Sequence, residues 1–192
     1  ALAVTKHKVP RWFTEGLAVH EETAVNKEWG DRLDPATIGA IKEKKLLPVA
    51  TLDRGFVRPS YPAQVTVSYF QAGKICDYIN EKWGWQKLVA MLRDFAAGKG
   101  TVEVVETHLG MKTEQFDKDF LAWLDKQVGE QVKGFDVWRK TIAAASELAK
   151  SASMLREIAA ALSMLSMPTT NTPPHTRGIH RRAMVSGPAA CT

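Results

Sequence analysis

Two cysteines and three tyrosines are all that these 192 residues hold of either type. Cys76 lies in an apolar periodic stretch and Cys191 close to the last residue, so they form neither a disulfide framework nor a CxxC metal site. No apolar run approaches the roughly 18 residues that a membrane-spanning helix needs. The opening residues, ALAVTKHKVP, lack a signal peptide's apolar stretch and cleavage pattern, and they lack an initiator Met. The sequence therefore reads as starting inside a longer protein. A surplus of one charge is also missing from the body of the chain. Net charge is +5, but Arg177, Arg181 and Arg182 stand in an acid-free final stretch, which leaves 23 basic against 21 acidic residues elsewhere. That balance describes a mixed solvated surface and excludes the basic footprint of a nucleic-acid binder. Strand-length alternation of apolar and polar residues does not occur, so the fold class is mainly α.

What is present is helical periodicity. A chain of this length suits one domain that buries roughly two thirds of its extended surface. Pro10 suits the first turn of a helix, which the following apolar and small residues carry to about Lys27. Residues 28–61 are rich in Gly, Pro and Asp and read as a long irregular connection with a short helix from Pro35 to Lys44. Val65, Tyr69, Ala72, Ile75 or Cys76, and Ile79 give one buried face of a helix over 62–82, ended by Trp83-Gly84-Trp85. Leu88, Met91, Leu92 and Phe95 mark the next helix, closed by Gly98, and Thr101 to Leu109 a short one before Gly110. Thr113 opens a longer one through Phe116, Phe120, Leu124 and Val128.

A final amphipathic helix is predicted from Phe135 to about Met164, with Trp138, Ile142, Ala145, Leu148, Leu155, Ile158, Leu162 and Leu165 as its stripe. From Pro168 onward the sequence has much Pro and Thr and no aromatic residue, and it reads as a disordered tail.

The segment PRWFTEGLAVHEE, residues 10–22, carries the chemistry. It sets Glu15 among Trp12, Phe13, Gly16, Leu17 and Val19, where a bound cation is one way to compensate a carboxylate. On the residues alone, Glu15 is better read as an exposed acid near a helix N-terminus, where the dipole favours negative charge. PRWFTEGLA resembles the W-x-x-E-G-x-A helix of the gluzincin, peptidase MA-like metallopeptidases. SYFQAGKICDYINEKWGWQKLVAMLRDFAAG and LGMKTEQFDKDFLAWL are similar to that family's helical C-terminal lobe, so the resemblance spans about residues 3–128. It implies a Zn²⁺ held by two histidines of an HExxH helix plus a Glu on the following helix, here Glu15. It further implies that Gly16 and Ala18 let those two helices approach closely. Tyr69, with Ala72 and Gly73 after it, matches a Tyr that stabilises the oxyanion in aminopeptidase relatives. On its own, Tyr69 is as well read as a core or groove tyrosine.

No HExxH occurs in the sequence, and His175 to His180 in HTRGIH have the wrong spacing and no Glu between them. The expectation is therefore the C-terminal part of a zinc-dependent metallopeptidase that hydrolyses peptide bonds through a metal-activated water, incomplete and inactive as given. Residues 1–132 would be the peptidase MA-like part. Residues 133–166 would be an amphipathic helix, a candidate start of a tetratricopeptide-type helical region, and 167–192 the tail. The expected partners are a peptide or protein substrate and a protein docked on the terminal helix. The competing expectation is a non-catalytic helical scaffold or interaction module with the same fold. His20, five residues past Glu15, should point away from it as a partly buried or surface histidine.

Overall fold

A computed structural model describes residues 3, 5–26, 29–30 and 33–165. Seven α-helices and one 3₁₀ turn make up the described chain, with no strand among the described residues. The helices are α1 (Arg11–Val25), α2 (Pro35–Lys42), α3 (Asp53–Val57), α4 (Gln64–Trp83), α5 (Trp85–Ala96), α6 (Thr101–Leu109) and α7 (Thr113–Leu165), and the 3₁₀ turn is Val49–Thr51. Among the described residues no helix is long and apolar enough to cross a membrane. The chain divides into two units, Ala1–Ala143 and Ala144–Thr192. The expected tail at 167–192, and Cys191 with it, lies outside the described residues.

In the first unit α4 is the central element. One of its faces carries Ala72, Gly73 and Cys76, and α1 lies on it with almost no side chain between the two backbones. A Cβ placed on Gly16 would stand 2.5 Å from the Ala72 carbonyl oxygen and 2.9 Å from Cys76 Sγ, and one on Gly73 would stand 2.5 Å from Val19 Cγ1. The glycines are what allow this contact. Burial pushes the Cys76 thiol well above the usual range, so it stays protonated and acts as a small apolar side chain. On its other side α4 presents Tyr78 to the first part of α7, with ring centroids 5.7 Å from Phe116, 6.0 Å from Phe120 and 5.4 Å from Trp123. Gly84, at φ +84°, reverses the chain between α4 and α5 in a conformation that side-chain-bearing residues rarely adopt.

The start of α1 is anchored by its two aromatics. Trp12 and Phe13 are fully buried and meet Phe95 of α5 at 6.5 and 5.0 Å. The Trp12 indole N–H donates to Thr101 Oγ1 at 3.1 Å, so even its one polar atom has a partner. Its backbone N–H donates to Asp53 Oδ1 at 2.8 Å. A carboxylate 41 residues away thus caps a helix N-terminus that has no local cap of its own.

The connection over 28–61 is more ordered than its composition suggests. Asp34 caps α2 by accepting from the Thr37 N–H at 2.6 Å. Val49 and Leu52 are fully buried in the core. The buried Gln71 side chain clips the segment to α4, with Oε1 accepting from the Leu47 N–H at 3.0 Å and Nε2 donating to the Leu47 carbonyl at 2.5 Å. Asp117 of α7 accepts from the Val49 N–H at 3.0 Å. The second difference from the sequence reading is that Thr113–Leu165 is one helix. Gly129 and Gly134 both keep negative φ, so each costs the helix about 1 kcal/mol without ending it.

In the second unit the described residues are the last part of α7. Leu148, Leu155, Ile158 and Leu162 are all exposed there.

Candidate functional site

Glu15 lies in the second turn of α1. Trp12, Phe13, Gly16 and Val19 turn into the core, and Glu15, three residues after Trp12, falls at the margin of that buried face with its side chain 24% exposed. Its described partner is Arg11, one turn earlier, at 3.4 Å. A partly exposed i,i+4 pair of this kind is worth only about 0.3–0.5 kcal/mol, so it is easily given up to a stronger partner. The carboxylate is held at a fixed place by a rigid helix but is not consumed by a buried structural bond.

Two hollows flank α1. An open one of about 750 Å³ is lined by Ala3, Thr14, Leu17, Ala18, Glu21, Trp85 and Leu92. It leaves the outward side of α1 bare and largely apolar. Thr14 Oγ1 is inaccessible to solvent there and has no hydrogen-bond partner among the described residues. The second, about 360 Å³, is lined by Val19, Glu22, Gly30, Asp34, Thr66, Tyr69 and Phe70. The Tyr69 ring is half-buried and stands edge-on to Phe56 at 5.1 Å. Tyr69 thus shares a cavity with Val19 and Glu22 of α1, one and two turns beyond Glu15. Glu15 lines neither hollow.

Of the two small residues expected to admit a neighbouring helix, Ala18 is exposed on the open hollow and Gly16 is not. Gly16 is committed to the α1–α4 contact inside the chain. His20 turns away from the Glu15 side. Its Nδ1–H donates to Asp77 Oδ1 at 2.6 Å, and its ring stacks on Trp85 at 5.8 Å. Lys74 joins the same carboxylate at 3.1 Å, so His20 is a structural residue of the α1–α4 seam. His108 pairs with Asp94 at 3.0 Å, and Lys99 meets the same carboxylate at 2.9 Å. The Lys99 ammonium and the His108 ring hold the Asp94 carboxyl below its ordinary range.

A family profile described as the peptidase MA superfamily matches residues 3–126. The chain belongs to the peptidase MA superfamily. No curated protein and no solved structure matches it. Within the superfamily, peptidase-like domains are commonly zinc-dependent, which makes the donor set the decisive test. Among the described residues no group of three His, Cys, Asp or Glu side chains could hold a metal ion. Glu15 offers one oxygen donor, His20 is engaged by Asp77, and His7 is exposed in a turn. Zinc needs three or four protein ligands, so the described residues do not by themselves fit it. Sequence reasoning missed Asp53 and Gln71, whose partners lie 41 and 24 residues away where no local pattern announces them.

Proposed function

We propose that the chain is part of a zinc-dependent metallopeptidase of the gluzincin type and that Glu15 is its contribution to the metal site. One observation carries this reading. In a chain of the peptidase MA superfamily, the W-x-x-E-G segment folds so that Trp12 and Gly16 lock α1 into the core while Glu15 stays partly exposed at the margin of that buried face, engaged only by Arg11 among the described residues. The remaining donors and the general base would lie outside these 192 residues, which contain no HExxH. Bound Zn²⁺ supplies such an enzyme with a Lewis acid and an activated water for peptide hydrolysis. This chain's own residues would position that chemistry. Glu15 would be one ligand of the ion, its carboxylate carried on a helix anchored in the core. Tyr69 lines the cavity beside Val19 and Glu22 and would offer its phenolic O–H to negative charge developing on the substrate. In this reading residues 1–132 are the C-terminal part of the peptidase domain, followed by a helix over 133–166 and a tail over 167–192.

The test is a zinc titration followed by activity measurement. The 192-residue chain is expected to take up zinc only weakly and to leave peptides intact. In the protein extended by its upstream coding sequence, Glu15→Gln is expected to lower activity by more than the roughly 10–100-fold that outer-shell changes cost, with helicity kept. Tight stoichiometric zinc and peptide cleavage by the chain alone would refute the proposal, and so would an upstream sequence without HExxH. A second reading, a helical interaction module without chemistry, is favoured by the exposed apolar side chains at the end of α7.

A further inference from the structure

We propose that the groove between the first part of α7 and residues 41–48 binds a small molecule with a primary ammonium head and an unbranched apolar tail. The inference does not depend on Glu15 or on zinc. Two hollows make up the groove, and they meet at Leu46 and Leu121, which line both. The larger, about 370 Å³, falls in the size range of small-molecule sites, roughly 300–1,000 Å³. The smaller, about 100 Å³, has room for a head group and little else. Asp117, Leu121, Leu124 and Val128 recur at spacings of three and four residues, so one side of α7 lines the groove for about 16 Å.

The smaller hollow selects the charge. Both ends of the Gln71 amide there are spent on Leu47. Asp117 is spent on one side only. Its Oδ1 accepts from the Val49 N–H at 3.0 Å, and no other hydrogen bond or ion pair reaches this carboxylate from the described residues. Burial and the nearby Glu114 charge both work against its ionised form, and only the Val49 N–H supports it. A half-buried carboxylate without a cation beside it gains most from a cation that brings its own apolar cover. A carboxylate ligand would be repelled, and a neutral one would leave the charge uncompensated.

The larger hollow takes the tail. Leu124, Val128 and Gly129 line it and are all buried. Its charged residues, Lys44 and Asp125, are exposed and opposite in sign, so they impose no net charge preference there. Gly129 keeps the space open. The three atoms nearest a Cβ added at this position all belong to the exposed Asp125 side chain, at 2.9, 3.4 and 3.7 Å.

An amide chemical-shift titration of the full chain with hexylamine tests the proposal, with hexanol and hexanoate as the matched neutral and anionic chains. Hexylamine is expected to bind with a Kd on the order of 1 mM and to shift the Leu46, Asp117 and Leu121 amides. Hexanol should bind roughly 10-fold more weakly, and hexanoate more weakly still. Asp117→Asn keeps an oxygen for the Val49 N–H and should bring hexylamine down to the level of hexanol. Gly129→Leu fills the larger hollow with a better helix former and should weaken both hexylamine and hexanol several-fold. Neither change removes a contact of the fold, so lost binding reports on the groove. The absence of saturable shifts at those amides overturns the proposal. Hexylamine that binds no better than hexanol, or that ignores Asp117→Asn or Gly129→Leu, does the same.

Discussion

Adding one methyl group at Gly16 tests the α1–α4 seam most sharply. The new Cβ would stand 2.5 Å from the Ala72 oxygen, 2.8 Å from the Ala72 carbonyl carbon and 2.9 Å from Cys76 Sγ. Two of these atoms are helix backbone, and the third belongs to a fully buried side chain, so none can swing aside. The helices must part by several tenths of an ångström, and Val19 loses its fit over Gly73 as they do. Overpacking of this kind costs about 1–3 kcal/mol. Against it stands the better helix propensity of Ala, about 1 kcal/mol. The net expectation for Gly16→Ala is a loss of roughly 0–2 kcal/mol, up to about 8 °C in Tm for a chain of this size. Gly134→Ala is the matched control, because nothing lies within 4 Å of its added Cβ. It should gain about 0.5–1 kcal/mol. Thermal melts of both variants by far-UV circular dichroism decide the matter. If Gly16→Ala gains stability as Gly134→Ala does, the close approach is not real and the reasoning fails.

Gln71→Leu should cost about 1–3 kcal/mol, because the Leu47 N–H and C=O both lose their partner, and the Leu47 amide should exchange with solvent distinctly faster. Asp117→Asn keeps an oxygen for the Val49 N–H and removes a desolvated charge. Burial raises the Asp117 pKa in the folded state, so the unfolded chain gives up this proton first and wild-type stability falls as pH rises from the unfolded to the folded value. The Asn variant should thus melt above the parent at neutral pH, with the gap closing below the ordinary Asp range near 3.8. A gap that widened in acid would refute this. Asp94, held low by Lys99 and His108, should act in the opposite sense, its contribution being present above the ordinary value and lost as pH falls through the depressed one. Asp94→Asn should therefore destabilise at neutral pH and converge with the parent in acid melts.

The helices were legible in the sequence wherever one apolar face recurred at helical spacing. Ala72, Ile75, Cys76 and Ile79 are buried as their periodicity predicts, and so are Leu88, Met91 and Phe95. What the pattern could not supply was polar burial and tertiary capping. Gln64, Ser68 and Gln71 are buried on α4 although they interrupt its apolar stripe, because each faces backbone or a close neighbour. Asp53 reads locally as the start of a short helix, and only the fold makes it the cap of α1. Gly129 and Gly134 read as a break between helices, yet the backbone there stays helical. At the candidate site, the W-x-x-E-G spacing located Glu15 on a rigid, core-anchored helix. It could not show that Gly16 is already spent on α4, since that contact lies 56 residues away in the chain.

The Asp53 carboxylate sits in the first turn of α3 and receives the Trp12 N–H of α1, so one side chain serves two helix starts. This couples their fraying. Local opening of the 49–57 segment releases the α1 terminus in the same event, and Glu15, one turn further on, loses its fixed bearing with it. The orientation of the proposed ligand is therefore set by the thermal stability of a five-residue helix with no chemistry of its own. A substitution that loosened α3 would read as a metal-site defect although no metal-binding group had been touched.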